Sequence, residues 1–189
     1  MREESKCERR LEFRKRGYLA VEAEKLQILK TYFGYDSFRP GQEEIIDQIL
    51  AGRDALAIMP TGAGKSLCYQ VPALMLSGIT IVISPLISLM MDQVKALNEA
   101  GIHAAYINSS LTENQVAKAL EFAKAGRYKI VYVAPERLET PRFLDFACHA
   151  EISMVTVDEV TAFPSGDRIS DRVMCGLFHL SASFLSVRS

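Results

Sequence analysis

The chain has 189 residues, 49% of them hydrophobic, a formal net charge of −1 and an isoelectric point near 6.3. That length suits one domain burying about 70% of its unfolded surface. The near-neutral balance excludes a global pull toward DNA or an anionic membrane, so a nucleic-acid site has to be a local patch. Cys7, Cys68, Cys148 and Cys175 form no CxxC pair, which argues against a zinc site or a disulfide framework and for reduced thiols in a cytoplasmic protein. The most apolar stretch, Ile79 to Leu89, is broken by Pro85 and is far shorter than the ~20 residues of a membrane span. The charged N-terminus lacks the apolar core of a signal peptide.

Residues 1–24 mix both charges densely and read as a solvated extension. Leu26, Ile28, Leu29 and Tyr32 then mark a short amphipathic helix closed by Gly34. Pro40 is expected to begin the next helix, where its missing N–H costs nothing; Ile45, Ile46, Ile49 and Leu50 form its apolar face, and Gly52 ends it. Ala55 to Ile58 is a strand, followed by a Gly-rich turn and a helix from Leu67 to Leu76. Strands are expected at Ile79 to Ile83, Ala104 to Ile107, Ile130 to Val133 and Ile152 to Val157, and helices at Ile87 to Ala100 and Pro141 to His149. Thr112, with Glu113 and Gln115 in the first turn, caps a further helix to about Ala125. Strands alternating with helices at short spacing demand crossover connections, hence an α/β fold with a mostly parallel sheet flanked by helices.

The turn between the first strand and its helix reads Met59-Pro60-Thr61-Gly62-Ala63-Gly64-Lys65-Ser66. A strand, a Gly-rich turn ending in Lys-Ser and a helix make a phosphate cradle, in which backbone N–H groups and a helix N-terminus converge on an anion. In such a loop Thr61 to Ser66 line the phosphates, Lys65 reaches the terminal ones and the Ser66 hydroxyl holds Mg²⁺. The plain alternative is a surface turn that happens to contain Lys-Ser. At the end of the last strand stand Asp158 and Glu159. Two carboxylates at that place complete an ATPase: the first holds Mg²⁺ and the second polarises the attacking water. In isolation they would be a solvated turn; opposite Lys65 in an α/β chain they point to catalysis by Lys65, Asp158 and Glu159 with ATP and Mg²⁺ as cofactors.

Four further segments, in order, resemble the RecQ family of DNA helicases: Phe33 to Gln42 (FGYDSFRPGQ), Thr61 to Gln70 (TGAGKSLCYQ), Ser84 to Val94 (SPLISLMMDQV) and Ala134 to Leu138 (APERL). Met59, where the strict phosphate-loop pattern has Gly, with Pro60 and Thr61 after it, fits the helicase variant of the loop. The resemblance runs from Leu26 to Glu159 and implies a RecA-like P-loop NTPase lobe. It implies that Gln42 reads the adenine edge through its amide, with Tyr35 and Arg39 offering planar groups to stack on the base. It implies that Ser84, Pro85 and Leu86, at a turn into a helix, and Arg137 contact single-stranded DNA. Taken singly, Tyr35 and Phe38 read as core aromatics, Arg39 as an ion-pair partner and Arg137 as the cap of its own short helix. The family's activity is ATP-dependent unwinding of tailed duplex DNA, three-prime to five-prime, in DNA repair and recombination, here expected of a monomer without zinc. RNA helicases with a DEAD motif share the phosphate loop but not the segments at 84–94 and 134–138, and the motif between Ser84 and Val94 also argues against a generic P-loop ATPase acting on something other than DNA.

The resemblance stops after Glu159. The family continues Asp-Glu-Ala-His-Cys-Ile-Ser-Gln-Trp-Gly-x-Asp-Phe-Arg-Pro, whereas this chain continues from Val160 as VTAFPSGDRISDR. Val160 to Ser165 can be written GTC ACT GCA TTT CCC AGT. One C inserted after the first G gives GCT CAC TGC ATT TCC CAG T, which reads Ala-His-Cys-Ile-Ser-Gln. With suitable codons, Gly166 to Arg172 continue it as Trp-Gly-Gln-Asp-Phe-Arg-Pro. A one-base deletion near the Val160 codon accounts for the break and makes 160–189 out-of-frame sequence. The lobe, 25–159, is then C-terminally incomplete: the family's His and aromatic-rich loop are missing, and so is the strand that resembles a neighbour between the Lys65 and Asp158 strands. Leu177 to Val187 is apolar enough to imitate a strand. The expectation for the polypeptide alone is weak nucleotide or DNA binding and no unwinding.

Overall fold

The computed structural model describes residues 20–60 and 62–158, together with the backbone of 183–188. It divides into two units, 1–38 and 39–189. In the first, helix α1 spans 20–33. It ends where Gly34 turns left-handed at φ 74° and donates its N–H to Lys30 O at 3.2 Å, the usual glycine stop of a helix. Lys30 and Asp36 pair at 2.8 Å in open solvent, a contact of little energetic consequence.

The second unit is a parallel sheet. Its elements run α2 (Gln42–Leu50), β1 (Ala55–Ile58), α3 (Leu67–Met75), β2 (Ile79–Ile83), α4 (Ile87–Glu99), β3 (Ala104–Ile107), α5 (Glu113–Lys124), β4 (Ile130–Val133), α6 (Pro141–His149), β5 (Ile152–Asp158) and β6 (Ser183–Arg188). Strand order is β1-β6-β5-β2-β4-β3, every neighbouring pair parallel. β2 and β4 are buried along their whole length, as strands of a parallel sheet covered on both faces must be. Ile81 and Ile83 of β2, with Val131 and Val133 of β4, pack with Leu120 of α5 and Phe143 of α6 on one face. The pairing of β2 with β5 slips between Ile79 and Thr80. That irregularity lets Ile152 and Val155, three residues apart, enter the same core. Thr80, Val82 and Tyr132 face the other way by strand alternation, toward α3.

The predicted strands and helices reappear almost residue for residue, and Thr112 and Gln115 form the expected capping box on α5. Pro40 is a correction. It lies in the turn ahead of α2, and Gly41 is the N-cap with φ 84°, a backbone conformation closed to proline and costly for any residue with a Cβ. The strand expected to be missing is a second correction, because Ser183–Arg188 pairs with both β1 and β5 in that place. Two facing strands with unpaired backbone groups accept a segment of sufficient β propensity, and Phe184, Leu185 and Val187 supply it. Residues 177–182 of the apolar run lie outside the described residues.

Candidate nucleotide site at the carboxyl ends of the strands

The register of β6 sets the level of the site. Ala57 of β1 and Asp158 of β5 both pair with Val187. The loop after β1 and the Asp158 carboxylate therefore emerge at the same height, two strand spacings or about 10 Å apart across the sheet. This is the carboxyl edge, where open α/β sheets take their ligands.

The loop from Met59 to Ser66 is anchored beneath and from the side. Met59 is buried, its sulfur 3.8 Å from Cys68 Sγ, and burial pushes the Cys68 thiol up to about 12. Ala63 N–H donates to Pro60 O at 3.1 Å, while Gly62 and Gly64 turn left-handed at φ 82° and 77°. From the side, Arg39 Nη1 donates to Gly62 O at 2.5 Å, and Gln42 Nε2 donates to Ala63 O and Gly64 O at 3.0 Å each. Because carbonyl and N–H of one peptide point in opposite directions, holding the carbonyls of 63 and 64 outward turns the next two N–H groups, of Gly64 and Lys65, inward. Lys65 and Ser66 are half-buried. Ser66 begins α3, whose first turn holds no acidic residue, so the positive end of the helix dipole is left for an anion. Thr61 lies outside the described residues.

Gln42 is 1% exposed, and its amide is fully engaged, since Oε1 also accepts the Arg39 N–H at 2.9 Å. Tyr35 belongs to the first unit, where it is 50% exposed.

Asp158 closes β5 and is buried. Tyr69 of α3 donates its hydroxyl to Asp158 Oδ2 at 3.3 Å and lies 3.3 Å from the Tyr132 hydroxyl. Burial, then the neighbouring Tyr132 hydroxyl and Asp158 carboxylate, hold the Tyr69 phenol well above its ordinary range. Burial likewise lifts Tyr132 to about 12. Both phenols therefore keep their protons at any ordinary pH. Asp158, expected to hold Mg²⁺ with Ser66, is thus held by the helix that Ser66 caps. Among the described residues no group of three or more His, Cys, Asp or Glu gathers as a metal cage. One hydroxyl and one carboxylate fit Mg²⁺, which takes few protein ligands and completes its shell with water and phosphate oxygens. Glu159 lies outside the described residues.

Ser84 follows β2 directly, its N–H donating to Val133 O at 3.1 Å, and its buried Oγ has no hydrogen-bond partner. Pro85 is half-buried, and Leu86 is exposed at the N-cap of α4. Arg137 is turned inward: Nε donates to Asn108 O at 3.1 Å, Nη2 to Leu111 O at 3.3 Å and Nη1 to Glu113 Oε1 at 2.9 Å. It neither caps its own short helix nor stands free; it clasps the loop between β3 and α5. Tyr69, Gln70, Gln93 and Tyr132 are polar residues of this site that no role predicted from sequence covers. The available signal was a pair of polar side chains, Tyr69-Gln70, at the start of an otherwise apolar helix, and a tyrosine inside the apolar strand Ile130 to Val133.

A family model described as DEAD/DEAH box helicase matches residues 39–172. The chain belongs to the DEAD/DEAH box helicase family. The match takes in α2, the phosphate loop and Asp158, and it continues past Glu159 to residue 172. The ATP-dependent DNA helicase RecQ of Bacillus subtilis (strain 168) is 52% identical over 133 residues, covering 70% of this chain and 22% of that protein. RecQ of Pasteurella multocida (strain Pm70) is 51% identical over 134 residues, 71% of this chain and 21% of that one. The ATP-dependent DNA helicase Q-like 5 of Arabidopsis thaliana is 46% identical over 134 residues, covering 70% and 15%. The resemblance to RecQ helicases therefore holds, and the chain spans about a fifth of the length of the RecQ relatives it matches. The solved DUF1998 helicase MrfA bound to DNA and AMPPNP superposes with a TM-score of 0.70 at 17% identity, covering 87% of this chain and 26% of that one. A hypothetical ATP-dependent RNA helicase from Sulfolobus tokodaii gives 0.66 at 18%, covering 88% and 50%. At those identities the likeness is one of fold, a helicase RecA-like domain. No helix among the described residues is long and apolar enough to cross a membrane.

Proposed function

We propose that this chain is the nucleotide-binding lobe of a RecQ-type ATP-dependent DNA helicase. It uses ATP and Mg²⁺ and acts on single-stranded or tailed duplex DNA, in repair and recombination with three-prime to five-prime polarity. The observation that carries the reading is the buried Asp158 carboxylate, level with the loop after β1 and hydrogen-bonded by Tyr69 of the helix that Ser66 caps. Lys65 binds the terminal phosphates, and the backbone from Gly62 to Ser66 cradles them. Ser66 and Asp158 hold Mg²⁺, which when bound neutralises charge developing on the phosphate oxygens. Glu159 orients the attacking water and takes up its proton. Arg39 stacks on adenine, and Gln42 reads its edge by exchanging its bonds to Ala63 and Gly64 for bonds to the base; Tyr35, half exposed in the first unit, is a ring of the kind that stacks on a base. A phosphate oxygen of the single strand supplies the partner that Ser84 Oγ lacks, with Pro85 and Leu86 shaping the turn beside it. Arg137 serves this surface by fixing the loop over 108–113.

Binding of a fluorescent ATP analogue to the purified chain tests this directly. Lys65→Ala is expected to abolish binding and Asp158→Asn to remove its Mg²⁺ dependence; a wild-type chain that binds no nucleotide refutes the reading. A generic P-loop ATPase is favoured instead if nucleotide binds but Ser84→Ala and Arg137→Ala leave DNA binding untouched.

The break at Val160 supports a second statement about this polypeptide, that it is a non-catalytic remnant of such an enzyme and does not unwind DNA. The base-by-base recovery of the family pattern after one inserted C supports a deletion near the Val160 codon, with 25–159 as the retained lobe and 160–189 out of frame. Coding DNA incompatible with GTC ACT GCA ends that account. Steady-state hydrolysis stimulated by single-stranded DNA, or unwinding of a tailed duplex, refutes the remnant.

A further inference from the structure

Helix α3 carries two buried polar side chains that phosphate binding does not use, Tyr69 and Gln70. Tyr69 lies 3.3 Å from both Asp158 Oδ2 and the Tyr132 hydroxyl; Gln70 Nε2 lies 3.3 Å from that hydroxyl and 2.9 Å from Gln93 Oε1 on α4. Counting protons gives the chain a direction. An ionised carboxylate only accepts, so Tyr69 donates to Asp158 and has no proton left for Tyr132. Tyr132 therefore donates to Tyr69, and its oxygen accepts from Gln70, whose second amide hydrogen goes to Gln93. Each member is satisfied by the next, and reversing one bond would leave two acceptors or two donors facing each other.

We infer that Tyr69 is a positioning residue that fixes the rotamer of the Asp158 carboxylate toward the cation, with Tyr132, Gln70 and Gln93 holding Tyr69 in place from α4. The inference rests on the reading of Asp158 as a Mg²⁺ ligand. A buried carboxylate can turn about its side-chain bonds unless something outside the metal holds it. Here the neighbouring helix that starts at the phosphate loop does so through the Tyr69 hydroxyl, 3.3 Å from Oδ2. The hydroxyl contacts are longer than the ~2.7–2.8 Å of a strong O–H···O bond. Removing one should therefore fall near the low end of the ~10–100-fold loss seen when groups that orient a metal ligand are deleted.

The test is a Mg²⁺ titration of fluorescent ATP-analogue binding to the whole chain, repeated in EDTA. Tyr69→Phe is expected to raise the half-saturating Mg²⁺ about tenfold, to leave binding in EDTA unchanged and to fold normally. Tyr132→Phe, one bond further from the carboxylate, should shift the titration in the same direction by about two- to threefold. A Tyr69→Phe chain that titrates like wild type overturns the inference, as does one that loses affinity equally with and without Mg²⁺. If Tyr69→Phe does not fold, Tyr132→Phe decides, and an unshifted titration overturns it. A wild-type chain that binds no nucleotide defeats the nucleotide-site reading itself and takes this inference with it. Lys65→Ala, which should lose binding in both media, separates the two kinds of failure.

Discussion

Gly64→Ala isolates the contact that ties α2 to the phosphate loop. Gly64 sits at φ 77°, and a Cβ built there meets Gln42 Nε2 at 2.5 Å. Left-handed backbone costs a residue with a Cβ roughly 1–2 kcal/mol. The amide end of Gln42 is flexible and can swing away, but in doing so it gives up its bonds to Ala63 O, Gly64 O and the Arg39 N–H. At roughly 1 kcal/mol net for each of these three neutral bonds, and with the amide 1% exposed, the total comes to about 4–5 kcal/mol, a large part of the ~5–15 kcal/mol that holds a domain together. Gly62 provides the internal control, with φ 82° and nothing within 4 Å of its Cβ; Gly62→Ala should cost the conformational ~1–2 kcal/mol alone. Urea unfolding of the two variants measures the difference. A cycle with Gln42→Ala should show coupling, because without the amide Gly64→Ala loses its clash and falls to the cost of Gly62→Ala. Equal destabilisation by the two alanines, or an additive cycle, refutes the argument.

Three further predictions follow from buried contacts. Gly78→Ala should destabilise more than Gly62→Ala in the same urea assay, because its Cβ would meet Glu151 O at 2.5 Å and Ser153 Oγ at 2.6 Å; a backbone carbonyl that also accepts the Ile79 N–H cannot swing aside as Gln42 can. Cys68, its thiol raised to about 12 by burial, should show no gain in alkylation between pH 7 and pH 10 while the chain is folded, since the reactive thiolate forms only above that range; exposed Cys148 should label readily, as peptide mapping by mass spectrometry would register. Phe143→Ala empties a site that is 1% exposed between α6 and the sheet and should cost about 3–5 kcal/mol in urea.

The fold was legible because its signals are local. β2 and β4 are short unbroken runs of β-branched and aromatic residues, and α5 announces itself through Thr112 and Gln115, so composition and caps alone bound them. Pro40 was misplaced for an equally local reason. Both Pro40 and Gly41 can precede a helix, but only the φ of Gly41, 84°, decides which one stands at the cap. The site was legible where a ligand demands residue types at fixed spacing, as in Gly62 to Ser66. It was illegible where side chains from separate elements meet, as Tyr69, Tyr132 and Gln93 do across α3, β4 and α4. The same limit applies to Arg137, whose three donors go to residues 24 to 29 positions away in sequence, at Asn108, Leu111 and Glu113.

The sheet and the site respond differently to the change of sequence after Glu159. The place between β1 and β5 is defined by backbone N–H and C=O groups on two facing strands, and these are indifferent to side-chain identity. Ser183–Arg188 can fill it with the β propensity of Phe184, Leu185 and Val187. The chemistry above that strand has no such tolerance. A histidine beside the carboxylates and an aromatic-rich loop are particular side chains at particular distances, and backbone pairing supplies neither. An altered sequence from Val160 onward is therefore expected to affect turnover before it affects the sheet. A chain of this kind should bind nucleotide at Lys65 and Ser66 with its strands in register, while hydrolysis stays at background whether or not single-stranded DNA is present. Circular dichroism of the folded chain together with phosphate release would separate the two: a helical and sheet signal with background release is expected, whereas DNA-stimulated release would show that the residues after Glu159 supply the missing groups.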